Sequence, residues 1–310
     1  MQLSDRIGCR VKLQDLHVLA TVVQAGSMAR AAERLNTGQP NISRSINDLE
    51  HALGVRLLDR HSRGVEPTAY GRALLDGSAI AFDGLRQAFK NIESLADPTV
   101  GEVRIGCTPL LASSFVSAVI NRVSRVHPRI RFSLVSGYVE TLHRELHQRN
   151  VDLLFTRRFG PLIDDRLSFE FLFDDVSVVA TGAQNPWARR RRVTLADLAN
   201  EPWVLPRSET AVGSIAMQAF RASRLDHPPT VVVTDSPHAR ISLLATGRFF
   251  TIFPAYALMF PTSNLEIKVL PIELPTDRVP NGIVTLENRA LGPAAQLFVK
   301  EARAAAKSLA

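Results

Sequence analysis

The chain has 310 residues, 45% hydrophobic and 22% charged, a balance that excludes wholesale disorder and the fibrous classes and fits two or three globular domains. Lys and Arg number 37 against 30 Asp and Glu, a net charge of +7 that suggests an anionic partner; Arg supplies most of it, and residues 1–67 hold little of the surplus, so residue pattern must identify the partner. No run of about 18 apolar residues suggests a membrane span, the first residues show no apolar signal core, and Cys9 and Cys107 cannot build a disulfide framework, so a cytoplasmic protein is expected.

Leu13, Leu16, Leu19, Val22 and Val23 recur at three- and four-residue steps, which predicts an amphipathic helix ending at Gly26. Ser27 is placed to cap a second short helix through Ala31, Ala32 and Leu35. Asn36-Thr37-Gly38 reads as a turn. A third helix opens at Gln39-Pro40-Asn41, where the missing proline N–H would be unpaired anyway. Ile42, Ile46, Leu49 and Leu53 form its buried stripe, and Gln39, Asn41, Ser43, Arg44 and Asn47 its open face. Two short helices, a tight turn and a helix that starts with amide, hydroxyl and guanidinium groups make a helix-turn-helix pattern. In a major groove Gln and Asn pair with adenine and Arg with guanine, while a helix N-terminus favours a phosphate. The following LLDRHSRGVEPT reads as a β-hairpin wing that brings Arg60 and Arg63 to the flanking backbone. The competing reading is a small helical domain with a solvated polar face.

The string GSMARAAERLNTGQPNISRSINDLEHALGVRLLDRHSRGVEPTAYGRALL resembles the N-terminal domain of the LysR-type transcriptional regulators. The resemblance rests on Gly26-Ser27, Ala31-Ala32, Leu35, Gln39-Pro40, Ser43-Arg44, Ile46, Leu49-Glu50, Leu53-Gly54, Leu57, Arg60, Thr68 and Gly71. It implies a winged helix-turn-helix that binds double-stranded promoter DNA through Ser27, Arg30, Gln39, Pro40, Asn41, Ser43, Arg44, Asn47, Arg60 and Arg63, with RNA polymerase as a further partner. The chain departs from the family's usual pattern at Gly38, where Ser is common, at Leu19, where Phe is common, and at Pro67, where Leu is common. Glycine is a tolerable cap, so the first change costs only a few tenths of a kcal/mol.

From Thr68 to Ala96 there is no proline, and Leu75, Ser78, Phe82, Leu85, Phe89, Ile92 and Ala96 alternate by three and four, an a/d seam. The helix would be about 43 Å long. A one-sided stripe on so long a helix needs a partner, either the chain's own C-terminal part or a second copy. The resemblance implies the second copy: a linker helix that holds a homodimer, or a tetramer built from dimers, and sets two recognition helices on neighbouring half-sites. Asp97-Pro98 marks its end.

Beyond residue 98 strand and helix signals alternate. GEVRIGC, IRFSLVS, VDLLFT, PWVLP, TVVVTD, FFTIFP, LEIKVLPI and NGIVTLEN read as strands; 109–126, 139–148, 211–224, 237–246 and 292–308 read as helices. Such alternation argues for parallel sheets with helices on both faces. The extended run around 167–180 is placed to cross from one lobe to another, and LEIKVLPIEL to cross back. This part is similar to the family's effector-binding domain, which implies a two-lobed, periplasmic-binding-protein-like α/β sensor. The expected domains are 1–67, 68–97 and 98–310, with lobe I near 98–171 and 275–310 and lobe II near 172–274.

Doubly wound sheets bind ligands at the carboxyl ends of their strands. Thr108-Pro109, Ser208, Thr210 and Ser236 stand there as helix caps, and Ser136, Gly137, Tyr138, Thr156 and Arg157 at other strand ends. Helix N-termini and an arginine favour a carboxylate-bearing effector. Phe249 and Phe250 are expected to narrow the pocket. Each hydroxyl, taken singly, is equally suited to simple capping.

His143 and His147 lack the HExxH order of a metalloprotease and read as a solvated face; Arg189–Arg192 reads as a surface turn; Cys107 reads as a small buried residue. No GxSxG, Walker or GxGxxG string occurs, so no catalytic residue, metal or cofactor is expected. The alternative to a regulator is an α/β enzyme or metabolite-binding module whose head serves protein contacts alone.

Overall fold

The computed structural model describes residues 11–61, 64–97, 100–161, 164–226, 228–259 and 266–309. Cys9, Arg63 and Pro98 lie outside these. The chain forms two compact units, one up to Ala88 and one from Phe89 onward.

The first unit has α1 (Leu13–Ala25), α2 (Met28–Arg34), α3 (Gln39–Leu53) and the antiparallel pair β1 (Leu58–His61) and β2 (Gly64–Pro67). Gly26, at φ 67°, closes α1, and the Ser27 hydroxyl caps α2 by accepting from the Arg30 amide at 3.2 Å. Asn36 takes the left-handed conformation at the turn, φ 49°, as an asparagine there can. Leu19, Val22, Ala31, Ile42, Ile46 and Leu49 fill the core. Its wing is pinned to the α1–α2 turn, with the Val65 amide donating to the Gly26 carbonyl at 3.1 Å. A Cβ on Gly64, at φ +139°, would stand 2.6 Å from that same oxygen, so only glycine fits.

Helix α4 (Ala69–Ala96) starts where the Thr68 hydroxyl accepts from the Gly71 amide at 3.1 Å. Leu74 and Leu75 pack on the head's core, and Phe82 meets the His17 ring edge-on at 6.2 Å. Further along, the stripe lies open: Leu85 is 41% exposed, Phe89 63% and Ile92 61%.

In the second unit the elements run β3 (Gly101–Cys107), α5 (Pro109–Leu111), a π-turn (Ala112–Val116), α6 (Ser117–Val126), β4 (Ile130–Ser136), α7 (Val139–His147), β5 (Leu153–Arg157), β6 (Leu167–Asp175) and β7 (Ser177–Gly182). Then come β8 (Trp203–Leu205), α8 (Ala211–Ala222), β9 (Thr230–Val233), α9 (Pro237–Ala245), β10 (Phe250–Pro254), α10 (Tyr256–Met259), β11 (Ile267–Val269), β12 (Val279–Leu286) and α11 (Pro293–Ala306). They build two five-stranded sheets, ordered β4-β3-β5-β12-β6 and β11-β7-β10-β8-β9.

The sheets are mixed, not wholly parallel as expected. β12 runs antiparallel to both β5 and β6, and β7 antiparallel to β10 and β11. The reason is that the chain enters and leaves the second sheet by direct strand crossings, with no helix to reverse its direction. The run over 167–180 does cross: it breaks at Val176, leaving β6 in one sheet and β7 in the other. The return falls between Val269 of the second sheet and Val279 of the first, with Ile267–Val269 still paired within the second sheet.

Phe115, Phe155, Phe173 and Phe298 interlock under the first sheet, with ring centroids 5.3–6.0 Å apart. In the second, Trp203 packs against Phe220 at 5.1 Å and Phe250 at 5.8 Å and donates its indole N–H to the Leu198 carbonyl at 3.0 Å. Buried Asp152 ties the first lobe together. It accepts from the Arg104 amide at 2.9 Å and from the guanidinium groups of Arg104 at 2.6 Å and Arg289 at 3.0 Å. Burial pushes its carboxyl up, but the Arg104 contacts and the Lys90 charge hold it below the usual range.

Candidate nucleic-acid interface and sensor cleft

In the head, α3 presents exposed Gln39, Pro40, Asn41, Arg44 and Asn47 on the face opposite buried Ile42, Ile46 and Leu49, with Ser43 half-exposed. Gly38 precedes it without a side-chain cap, Pro40 carries no N–H, and the Asn41 amide already donates to the Gly38 carbonyl at 3.0 Å. The Asn41 amide donates to the Thr37 hydroxyl at 3.1 Å, and Arg60 of β1 donates to the Asn47 carbonyl at 2.9 Å. Wing and recognition helix are thus joined, which the sequence did not indicate. Arg30 is exposed and folds back onto the Ser27 hydroxyl at 3.2 Å. Asp15 of α1 accepts from the Ser45 hydroxyl at 2.7 Å and fixes the roll of α3.

In the sensor, β4, β3 and β5 run parallel, so their carboxyl ends bring Thr108, Ser136, Gly137, Thr156 and Arg157 together. The Thr108 amide donates to the Phe155 carbonyl at 3.3 Å and the Gly137 amide to the Cys107 carbonyl at 3.2 Å. Tyr138 is exposed at this edge, Pro109 is half-buried and Thr156 is buried. Thr108 holds the N-cap position, yet its hydroxyl makes no cap bond. In the second lobe Thr210 caps α8 and Ser236 caps α9, at 3.0 Å and 3.3 Å. Ser208 caps nothing; it lines a surface hollow of about 660 Å³ along α8 with Met217, Gln218 and Arg221. Phe249 and Phe250 are buried at the start of β10, the opposite end from Pro254, and are not brought to the strand ends. Burial pushes the Cys107 thiol up to about 12, so it stays protonated. His147 pairs with Asp164 at 2.8 Å, and no metal-holding group occurs among the described residues.

Comparison with known proteins settles the ancestry of this architecture. Residues 13–72 match the family described as "Bacterial regulatory helix-turn-helix protein, lysR family", and residues 96–307 match "LysR substrate binding domain". The chain belongs to the LysR family. It is 32% identical over 292 residues to the SDS degradation transcriptional activation protein of Pseudomonas sp. (strain ATCC 19151), covering 92% of this chain and 93% of that one. It is 28% identical over 299 residues to the regulator GbpR of Azospirillum brasilense, covering 96% and 87%. Two solved LysR structures share its fold. One is CbnR, with TM-score 0.55 at 22% identity over 94% of this chain and all of that one. The other is a point variant of full-length OxyR from Pseudomonas aeruginosa, with TM-score 0.64 at 18% identity over 96% and 95%.

This LysR-family chain is a DNA-binding transcriptional regulator with an effector-responsive domain, and not an enzyme. No helix among the described residues is long and apolar enough to cross a membrane. Residues that sequence reasoning missed stand where β5, β6 and β12 meet α9 and α10: Asp175, Arg240, Tyr256 and Asn281, all buried. Burial pushes the Asp175 carboxyl up to about 6 even though it accepts the Tyr256 amide at 3.0 Å and faces Arg157 at 3.7 Å.

Proposed function

We propose that this regulator reads promoter DNA in the cytoplasm as a dimer, or a dimer of dimers, with the open face of α3 in the major groove and the wing on the backbone. The division of labour follows the segments 1–67 for DNA, 68–97 for dimerisation and 98–310 for sensing, with RNA polymerase as a further partner. Gln39, Asn41, Ser43 and Arg44 read base edges; Ser27, Arg30, Pro40, Asn47, Arg60 and Arg63 position the helix on sugar and phosphate. The observation that carries this is the segregation of α3 into a buried apolar stripe and an exposed amide and guanidinium face.

In the sensor, the converging strand ends with Thr108, Pro109, Ser136, Gly137, Tyr138, Thr156 and Arg157, and the caps Thr210 and Ser236, are offered to a small anionic effector. Such a ligand moves the DNA heads only by its differential affinity for two arrangements of the protein. A fluorescence titration of DNA from beside the coding region, at about 50 and 200 mM salt, tests the reading. Affinity falling by orders of magnitude with salt is expected. Absence of binding in dilute buffer overturns it and leaves the metabolite-binding alternative.

A further inference from the structure

Seven buried side-chain nitrogen or oxygen atoms among the described residues have no hydrogen-bond partner, and six of them belong to one cluster. They are Arg157 Nε and Nη2, Asp175 Oδ2, Arg240 Nε, Tyr256 Oη and Asn281 Oδ1. The five residues are between 1% and 7% exposed. Arg157 on β5 stands opposite Asn281 on β12, and its guanidinium lies 3.7 Å from Asp175 Oδ2, close enough for charge but too far for a hydrogen bond. Tyr256 is tied to Asp175 through its amide at 3.0 Å, and Arg240 stacks on Phe253 at 4.4 Å while donating to the Ile252 carbonyl at 3.3 Å. Tyr256 feels the charges of Arg157, Asp175 and Arg240, and Arg240 those of Asp235 and Arg157.

Buried polar atoms are nearly always satisfied, and an orphaned buried cation is costly. Arg157 faces Asp175, and Arg240 feels Asp235, which already pairs with Arg207; three arginines against two carboxylates leave this neighbourhood an excess positive charge. Water would fill the hydrogen bonds and leave that charge uncompensated. The orphans also divide by type: arginine N–H groups and the Tyr256 hydroxyl offer donors, and Asp175 Oδ2 and Asn281 Oδ1 ask for a donor.

We infer that this cluster is a binding site for a small hydroxy-monocarboxylate of two or three carbons. Its carboxylate lies between Arg157 and Arg240 with the Tyr256 hydroxyl donating to it, and its own hydroxyl donates to Asp175 Oδ2 and Asn281 Oδ1. The inference rests on the reading of the sensor as effector-responsive and names the class of effector. A plain carboxylate leaves the two acceptors unsatisfied. A phosphate dianion overshoots the charge and meets Asp175. The ligand is small because Arg157 and Asp175 already stand 3.7 Å apart. Bound there, it joins strands of the first sheet, through Arg157 and Asn281, to helices α9 and α10 of the second lobe.

The test is thermal unfolding and calorimetry of the full chain with glycolate, acetate and inorganic phosphate at pH 7. Glycolate should raise Tm saturably, acetate and phosphate clearly less. Arg240→Gln should lose the glycolate shift, and Tyr256→Phe, which removes one hydroxyl and keeps the ring, should weaken glycolate several-fold. No saturable shift with glycolate, or the same shift in Tyr256→Phe and Arg240→Gln, overturns the site. Acetate or phosphate matching glycolate overturns the hydroxy-monocarboxylate class. Failure of the parent to bind its upstream DNA would strike the regulator reading and is scored apart from these titrations.

Discussion

Replacing Asp175 by Asn tests whether burial outweighs the neighbouring arginine at that position. The Asp175 carboxyl titrates near 6 in the fold against an ordinary 3.8. The folded state therefore holds a proton that the unfolded chain releases between those values. Its contribution is fully present below pH 3.8, is lost as pH rises through about 6, and is flat above. About two units of displacement correspond to roughly 3 kcal/mol. The charged group that acts on the carboxyl is the Arg157 guanidinium, beside the donating backbone amide of Tyr256. Asn keeps the oxygen that accepts the Tyr256 amide, so the difference isolates the charge. Urea unfolding followed by tryptophan fluorescence is the assay, since both tryptophans, Trp187 and Trp203, belong to the second lobe. Asp175→Asn should gain on the parent by about 3 kcal/mol between pH 4 and pH 7 and hold that lead above. A parent that gains on the variant over the same interval would show that the Arg157 attraction wins and refute the reasoning.

Arg44→Ala should weaken DNA binding by about 1–3 kcal/mol and relax base preference; an unchanged gel-shift titration removes Arg44 from the contact face. Asp152→Ala leaves the buried Arg289 guanidinium without its carboxylate and should cost about 3–5 kcal/mol in urea unfolding, while adding Arg289→Met should recover part of it. Recovery of nothing by the double variant would show that the pair does not act as a unit. Gly71→Ala drives a Cβ into the Leu57 carbonyl oxygen, a backbone atom that cannot turn aside. The head should melt earlier by circular dichroism, and an unchanged transition would mean that α4 shifts freely on the wing.

Much of the head was readable in advance because its signals are local. The three- and four-residue apolar steps, Gly26 as a left-handed closure and Ser27 as a cap all act within one or two helical turns. The order of sensor elements was readable for the same reason. Strand direction was not: β12 inserts between β5 and β6 from more than a hundred residues away, and no periodicity records its partners. The polar cluster was hidden likewise, since Arg157, Asp175, Arg240, Tyr256 and Asn281 come from five separate elements. Asp175 showed only as part of the extended run around 167–180, and Arg240 as one polar residue on the helix over 237–246. Phe249 and Phe250 were expected near the ligand, but their place at the start of β10 puts their rings into packed core.

The threading of the sheets sets an order of assembly during synthesis. The second sheet is complete once Val269 has emerged, and α8 and α9 are already in place to cover it. The first sheet then still lacks its penultimate strand, and β6, which among the described residues pairs with β12 alone, hangs as an unzipped ribbon. A nascent chain that has emerged only as far as residues 270–278 would present a finished rear lobe attached to a half-built front one with bare strand edges. That stretch of translation is where a holdase or a neighbouring nascent chain would find this polypeptide stickiest.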